Sequence, residues 1–198
     1  MTPEAIAEQL GRTGLCICPG FLDVQSMTET RDDLDSLQRT GELQRAAVGR
    51  GAHRQIKDEV RRDEIRWLDR ELPNVAQAAL WAKLDLLKPA FNRALFLGLA
   101  DFEGHYASYP TGGFYRRHLD TFRDNDARVV SIVLYLNHHW LPSDGGQLRL
   151  YAADGSYVAI SPVGGTLVCF MSGISEHEVM PGLRPRFSFA GWFKREAS

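Results

Sequence analysis

Two of the six histidines in the chain fit a metal-ligand pattern together with one aspartate. His118 and Asp120 are two positions apart, and His177 lies much further along the chain. On a strand, residues i and i+2 point to the same side, so His118 and Asp120 would converge on one point. Two imidazoles and one carboxylate leave coordination positions open, which suits non-haem iron(II) that activates oxygen. The pattern predicts an iron-centred catalyst, for which no separate acid or base residue is assigned.

Zinc is the alternative metal for such a trio. Zinc sites are usually four-coordinate and use sulfur or three histidines, and no cysteine lies beside these residues. Each histidine alone would more often be an ordinary hydrogen-bonded residue. The joint pattern, together with the arginine that follows His177, favours iron.

The segment that begins at Arg186 provides a second signal. Its alternate residues fall on two faces: Arg186, Ser188, Ala190 and Trp192 on one, and Phe187, Phe189 and Phe193 on the other. The phenylalanine face is typical of a core. The other face holds a charge followed by small residues, which is typical of a strand that lines a cavity. A buried arginine there needs a carboxylate partner, and a bidentate one matches its geometry.

The run Val129–Leu136 predicts a strand that is buried on both sides, because both of its faces are apolar. It includes Tyr135, whose buried hydroxyl needs a partner, and we expect that it shares the ligand of Arg186. His105 also falls in a strand run. It could face the cavity, although core packing or a hydrogen bond is favoured.

Composition limits the function classes. The 198 residues suit one domain, and 44% hydrophobic and 24% charged residues are ordinary for a globular chain. A net charge of -2 argues against a nucleic-acid binder. The start lacks the apolar region of a secretory signal, and the apolar stretch Val75–Ala100 is interrupted by charges, so we expect a cytoplasmic protein without membrane contact. Cys16 and Cys18 are expected to be reduced core residues, with a redox or metal pair as the alternative.

The order of elements predicts helices first and strands later. Helices are expected at Pro3–Leu10, at Val24–Gln38 and at Val75–Phe96 with a kink at Pro89, and a strand at Gly14–Cys18. Further strands are expected at Phe102–Tyr109, Val129–Leu136, Gln147–Tyr151, Tyr157–Ile160, Thr166–Phe170 and Phe187–Phe193. Short strands between Gly-rich turns indicate a sandwich or jelly roll, with the helices packed on one outer face.

Between the second and third predicted helices lies a basic segment with two glycines. Gly49 and Gly51 are surrounded by Arg50, Arg54, Lys57, Arg61 and Arg62, and the alternating run Val60–Trp67 follows. We predict a mobile loop that leads into a strand or hairpin arm at about residues 45–67 and becomes ordered over substrate. A merely solvated charged loop is the alternative.

Several of these stretches together resemble one family. They are Tyr109-Pro110, Tyr115–Asp120, Tyr135–Asn137, Asp144–Arg149, His177–Pro181 and Arg186–Phe193. The set resembles the iron(II)- and 2-oxoglutarate-dependent oxygenases, and within them the prolyl 4-hydroxylases, especially the animal oxygen-sensing enzymes that modify hypoxia-inducible factor and their bacterial relatives. The likeness extends over about residues 45–195, and the stretch between Tyr109 and His118 is one residue shorter than in the animal enzymes.

The resemblance implies an α+β fold with a mainly β core: a double-stranded β-helix (jelly roll, cupin-like) with supporting helices from the N-terminal half. It implies one oxygenase domain over residues 1–198, with the jelly-roll core in 101–198. The cofactors would be Fe(II), 2-oxoglutarate, which is decarboxylated to succinate, and O2, with ascorbate as a possible support of turnover. The implied site residues are His118, Asp120 and His177 for iron; Arg186, Tyr135, Tyr109, Leu148 and Trp192 for 2-oxoglutarate; and Arg128, Asp63 and Arg61 for the peptide.

The implied reaction is hydroxylation of a prolyl residue in a protein substrate by a monomeric enzyme, and the bacterial relatives suggest elongation factor Tu as that substrate. Two alternatives stay open. One is a hydroxylase of another side chain or of a small molecule on the same scaffold. The other is a non-catalytic sensor of iron or 2-oxoglutarate, which the complete ligand set with Arg186 disfavours.

Overall fold

The strands of the chain build two antiparallel sheets, as seen in a computed structural model that describes residues 1–49, 55–121 and 127–196. The helices are α1 (Pro3–Thr13), α2 (Val24–Arg39), α3 (Val75–Asp85) and α4 (Leu87–Leu95). The strands are β1 (Leu15–Cys18), β2 (Gln44–Arg45), β3 (Glu64–Trp67), β4 (Asp101–Tyr109), β5 (Tyr115–His118), β6 (Arg128–Tyr135), β7 (Leu148–Tyr151), β8 (Tyr157–Ile160), β9 (Leu167–Met171), β10 (His177–Val179) and β11 (Arg186–Lys194).

The two sheets differ in size. The major sheet has the strand order β1-β9-β6-β11-β4-β3-β2, and the minor sheet has the order β5-β10-β7-β8. Side chains from both sheets meet in one apolar cluster, in which Tyr109 and Tyr135 of the major sheet pack with Leu148 and Val179 of the minor sheet. The jelly-roll fold predicted from the sequence is confirmed, and all six strand runs predicted after Ala100 are present with ends shifted by one residue at most.

The first helix begins and ends where its sequence favours it. The Thr2 hydroxyl accepts a hydrogen bond from the Ala5 amide at 3.2 Å, and Pro3 occupies the first turn, where a missing N–H costs nothing. Gly14 follows the helix in the left-handed conformation, with φ of 72°. The predicted helix at Pro3–Leu10 is confirmed and extends to Thr13, and α2 matches its predicted range to within one residue at its C-terminal end.

The third predicted helix requires a correction. A single helix over Val75–Phe96 with a kink at Pro89 is wrong, because the chain forms α3 and α4 with a break at Leu86. Pro89 has no N–H to donate to the Asp85 carbonyl, and its ring would clash with that oxygen. Helix α3 therefore ends at Asp85, and Pro89 lies in the first turn of α4.

The helices cover one face of the major sheet. Ile132 and Leu134 of β6 and Phe189 of β11 are buried in the same cluster as Leu34 and Trp81 of the helices. Phe187, Phe189 and Phe193 all belong to this helix-side core, so the face of β11 that was predicted to be core is confirmed. The opposite face of β4, β6 and β11 is thereby left to line the space between the two sheets.

The three cysteines are free and buried on the helix side, which confirms their predicted position in the core. Cys16 of β1 lies opposite Cys169 of β9 in the strand register. Burial raises the pKa of the Cys16 thiol to about 11, so the thiolate that a redox or metal role would need is disfavoured. In the described part of the chain, no helix has the length and apolar character required to cross a bilayer.

Candidate metal centre

The three predicted ligands meet at one point of the minor sheet. His118 ends β5, and His177 begins β10 directly opposite it in the strand register. Asp120 Oδ1 lies 3.6 Å from His118 Nε2, and Asp120 Oδ2 lies 3.6 Å from His177 Nε2. One donor atom from each residue lies within 4.8 Å of the others, so the three could hold a single metal ion.

Asp120 reaches this point by a route that differs from the expected one. The prediction that His118 and Asp120 share the face of one strand is wrong, because β5 ends at His118 and Asp120 lies in the bend beyond it. Contacts from the major sheet hold the aspartate instead. The Ser131 hydroxyl donates to Asp120 Oδ2 at 2.7 Å, and Arg128 Nη1 donates to the Asp120 carbonyl oxygen at 3.4 Å.

Backbone carbonyls set the orientation of both imidazoles. His118 Nδ1 lies 2.6 Å from the Arg116 carbonyl oxygen, and His177 Nδ1 lies 2.9 Å from the Ser175 carbonyl oxygen. Since a carbonyl only accepts, each Nδ1 carries a proton, which leaves Nε2, on the side of Asp120, as the nitrogen that would bind a metal. These partners, which the sequence could not identify, are the kind of support that metal-binding histidines commonly use.

The charge states suit a divalent cation. Burial lowers the pKa of His177 to about 4, so this imidazole is neutral at neutral pH. Burial alone would raise the pKa of Asp120, but the two imidazoles and the Ser131 hydroxyl hold it well below its usual value. A carboxylate and two neutral imidazoles are the protonation states that metal binding requires. The donor set therefore fits a non-haem iron(II) site.

A cavity of about 750 Å³ extends from this centre between the sheets. The predicted cavity face of β11 lines it throughout, with Arg186 toward one end and Trp192 toward the other. Tyr109 and Leu148 are also in its wall. Tyr135 lies just behind the wall, and its ring centroid is 5.1 Å from the Arg186 guanidinium carbon.

The end of the cavity at Arg186 carries unpaired polar atoms. Arg186 is 2% exposed and Tyr135 is fully buried. Neither Arg186 Nε nor the Tyr135 hydroxyl makes a hydrogen bond within the described residues. A buried cation without a partner costs several kcal/mol, so this end of the cavity suits an anionic ligand. The two donors fit a carboxylate such as the far end of 2-oxoglutarate.

Of the three residues predicted for the peptide, Arg128 lies at the Trp192 end of the cavity, whereas Arg61 and Asp63 lie near Tyr109. The Arg128 guanidinium lies 3.7 Å above the Trp192 ring and donates from Nε and Nη2 to Glu103 Oε1 at 2.9 and 2.8 Å. Arg61 lines the cavity, and its Nε and Nη2 bind the two oxygens of Asp63 at 2.7 and 2.6 Å. The Asp63 carboxylate is fully buried behind Arg61, so Arg61 is the member of this pair that faces the cavity.

Tyr115 and Trp67 were not predicted as site residues from the sequence, and a place in the cavity was the less favoured expectation for His105. The Tyr115 ring stacks on the His118 imidazole with ring centroids 3.5 Å apart, and the Arg61 guanidinium carbon lies 4.1 Å from the centroid of the tyrosine ring. Trp67 and His105 also line the cavity. The alternation of β4 places His105 on the same face as Tyr109, so a signal for its position was present. The hydrogen bond expected for His105 is found as well, from Nδ1 to the Tyr106 carbonyl at 3.1 Å.

His105 gives the metal-free protein an acid sensitivity that can be measured. Burial lowers its pKa to about 3, so protons bind more strongly to the unfolded chain than to the folded one between that pH and about 6.5. The contribution of His105 to stability is complete when the pH is above the pKa of histidine in the unfolded chain, and it decreases as the pH falls below that pKa. Between about pH 6.5 and about pH 5 this group removes up to about 2 kcal/mol of unfolding free energy.

The expected result is that His105→Met loses less stability than the wild type over this range. Urea unfolding of both proteins without metal, near neutral pH and at about pH 5, measures the difference. His177 is present in both proteins, so its contribution to the pH dependence cancels in the difference between them. Equal losses would mean that His105 is not buried as a neutral imidazole.

Comparison with known proteins agrees with this fold and site. Residues 104–194 match the family described as 2OG-Fe(II) oxygenase superfamily. A prolyl-4-hydroxylase from Pseudomonas putida is 42% identical, with a TM-score of 0.88 over 99% of this chain and 100% of that chain. A prolyl hydroxylase from Trichoplax adhaerens, solved with a hypoxia inducible factor peptide fragment, is 29% identical with a TM-score of 0.86 over 98% and 89% of the two chains.

Among curated relatives, human Egl nine homolog 1 is 26% identical over 200 residues, which cover 96% of this chain and 46% of the relative. The chain thus spans about half the length of that protein.

A jelly roll with two histidines and one aspartate around a metal position defines an oxygenase-type site. The chain belongs to the 2OG-Fe(II) oxygenase superfamily and, within it, to the prolyl hydroxylases. This family uses Fe(II), 2-oxoglutarate and O2, and the donor set described above fits that use.

Proposed function

We propose that this protein hydroxylates a prolyl residue in a protein substrate, with Fe(II) held by His118, Asp120 and His177. The observation that carries the proposal is the buried Arg186 guanidinium in the same cavity as the three ligands, which has no carboxylate partner among the described residues and whose Nε makes no hydrogen bond there. A metal position alone is compatible with many activities. A metal position that shares its cavity with an unpaired cation calls for a cosubstrate with a remote carboxylate.

The residues at the Arg186 end would bind and orient 2-oxoglutarate. Arg186 would pair with its far carboxylate and the Tyr135 hydroxyl would donate to the same group, since both side chains are buried and neither Arg186 Nε nor the Tyr135 hydroxyl makes a hydrogen bond among the described residues. Tyr109 and Leu148 would form the walls that exclude water from it. When bound, the iron supplies the oxidation of a C–H bond, coupled to decarboxylation of 2-oxoglutarate to succinate.

Trp192, Arg128 and Arg61 would receive the peptide. Trp192, fixed from above by Arg128, offers an apolar surface that suits a pyrrolidine ring. Arg61, held by Asp63, and Arg128 would face the adjoining parts of the chain that carries the proline. The relative from Trichoplax adhaerens was solved with a hypoxia inducible factor peptide fragment, which is consistent with a peptide substrate.

The arm predicted at about residues 45–67 belongs to this part of the proposal. Arg50, Gly51, His53 and Arg54 lie outside the described residues. On either side of them, Val48 pairs with Gln55 in an isolated bridge, and Arg61 pairs with Tyr115 of β5. The second pair joins the arm to the strand that carries His118, so an arm that contacts substrate would act next to the metal centre.

We further propose elongation factor Tu as the substrate, which the resemblance to the bacterial prolyl hydroxylases suggests. A single monomeric oxygenase domain that acts in the cytoplasm, with turnover supported by ascorbate, completes the proposal.

The test combines purified protein, Fe(II), 2-oxoglutarate and elongation factor Tu, with succinate and the mass of the factor's peptides as readouts. The expected result is succinate formation that rises with the factor, and the mass of one added oxygen on a prolyl residue. Replacing that proline by alanine in the factor should remove the increase.

Other outcomes would overturn the proposal at different levels. Oxygen added to a non-prolyl residue, or to a small molecule in cell extract, would replace the prolyl assignment. If elongation factor Tu stays unmodified and a prolyl residue of another host protein is hydroxylated, only the identity of the substrate would be wrong. Absence of succinate formation with any partner would reject the catalytic role.

A further inference from the structure

Two buried serines extend the metal centre into the major sheet. Ser131 of β6 is 1% exposed, and Ser172, directly after β9, is fully buried. The two hydroxyl oxygens are 2.8 Å apart, and Ser131 also lies 2.7 Å from Asp120 Oδ2. Hydroxyl groups in a core are costly unless they are hydrogen-bonded, and here the interaction ends on a metal-ligand carboxylate.

The direction of these hydrogen bonds follows from the number of protons. An aspartate that binds a metal is ionised and can only accept, so Ser131 must donate its single proton to Asp120. Ser131 then has only lone pairs left, and Ser172 must donate to it. The chain of donation therefore runs from Ser172 to Ser131 to Asp120.

Asp120 needs such support more than the two histidines do. His118 and His177 lie on paired strands, and carbonyl oxygens hold both of their rings. Asp120 lies in a bend after β5, where no strand pairing fixes it. Ser131, by contrast, is paired on both sides, with Phe170 of β9 and Trp192 of β11.

We propose that Ser131 and Ser172 are positioning residues that hold the Asp120 carboxylate in the rotation required for metal binding, with Ser172 acting only through Ser131. The proposal rests on the metal assignment of the preceding section. It connects the minor sheet, which carries both histidines, to the rigid centre of the major sheet. Partners that orient metal ligands commonly change metal affinity by about 10- to 100-fold when they are removed.

The experiment measures Mn(II) binding as a redox-inactive probe, from the electron paramagnetic resonance signal of free Mn(II) during titration. Ser131→Ala should weaken binding by about 10-fold or more, and Ser172→Ala by less. Ser131→Thr keeps the hydroxyl and should restore affinity to within about threefold of the wild type, because the hydrogen bond is retained. In the Ser131→Ala background, Ser172→Ala should have no further effect, because its path to Asp120 is already lost.

Ser108→Ala provides the matched control. Ser108 is a buried serine of β4 outside the metal cavity, so its removal should leave Mn(II) affinity unchanged. Thermal unfolding without metal is recorded for every variant, so that a general loss of stability is separated from a loss of affinity.

Two outcomes would overturn the proposal: wild-type Mn(II) affinity in Ser131→Ala, or equal weakening by Ser131→Ala and Ser131→Thr. An additive effect of the two alanine substitutions would remove the dependence of Ser172 on Ser131. His177→Ala distinguishes a failure of the underlying assignment. If it loses Mn(II) binding while Ser131→Ala keeps it, the metal site stands and only the serine proposal fails.

Discussion

His177→Ala is expected to abolish both metal binding and succinate formation, and His118→Ala is expected to do the same. The two imidazoles face each other across β5 and β10, and each Nε2 lies 3.6 Å from an Asp120 oxygen. Loss of either leaves one imidazole and one carboxylate, which is too small a donor set to retain Fe(II) against water. Mn(II) titration and 2-oxoglutarate turnover measure the two effects separately.

A histidine outside the cavity provides the control for these variants. His138 is half-buried after β6, and the contact it makes with Arg184 is through its backbone carbonyl. His138→Ala should therefore retain metal binding and turnover. Normal turnover with Fe(II) in His118→Ala or His177→Ala would show that the metal is held elsewhere.

Arg186→Ala is expected to raise the apparent Michaelis constant for 2-oxoglutarate while metal affinity stays close to that of the wild type. Truncating one partner of a buried, hydrogen-bonded charge pair costs about 2 kcal/mol or more, which corresponds to roughly 30-fold or more. Tyr135→Phe should act in the same direction by about 1 kcal/mol, since it removes one hydrogen bond. Turnover at varied 2-oxoglutarate and Mn(II) titration are the two measurements.

Two further arginine variants sharpen this test. Arg186→Lys keeps the charge but loses the planar pair of donors. Its apparent Michaelis constant for 2-oxoglutarate should therefore lie between those of the wild type and Arg186→Ala. Arg184 lies two positions earlier, is partly exposed and pairs with Asp144, so Arg184→Ala should leave the constant unchanged. An unaltered dependence on 2-oxoglutarate in Arg186→Ala would remove Arg186 from the cosubstrate site.

Part of the fold was predictable because apolar residues either alternate along a strand, as in β11, or fill both of its faces, as in β6. In β11, the period of two separates Arg186 and Trp192 from Phe189, and the cavity and the core lie on those two sides. The identity of the three metal ligands followed from residue types and from the restrictive pattern with Arg186, because few side chains can hold Fe(II). The strand geometry expected for Asp120 was wrong, so local periodicity accounts for the faces of β11 and not for the ligand positions.

The parts that could not be predicted depend on contacts between distant segments. Asp120 is oriented by Ser131 rather than by a shared strand face, and the partner of Ser131 is 41 residues away in the sequence. The break at Leu86 reflects a competition between helix propensity and the position of Pro89, whose outcome apolar spacing alone does not determine. Both the orientation of Asp120 and the end of α3 depend on tertiary packing.

The burial of all three cysteines has a practical consequence for spectroscopy. Cys16, Cys18 and Cys169 lie behind the major sheet, and burial raises the pKa of Cys169 well above its ordinary value. Thiol reagents require an accessible thiolate, so the native chain offers them little to react with. A cysteine introduced at Ile174, which is 79% exposed, would be selectively labelled. A fluorophore or spin label at that position could then report distances to a bound peptide without removing any native residue of the core.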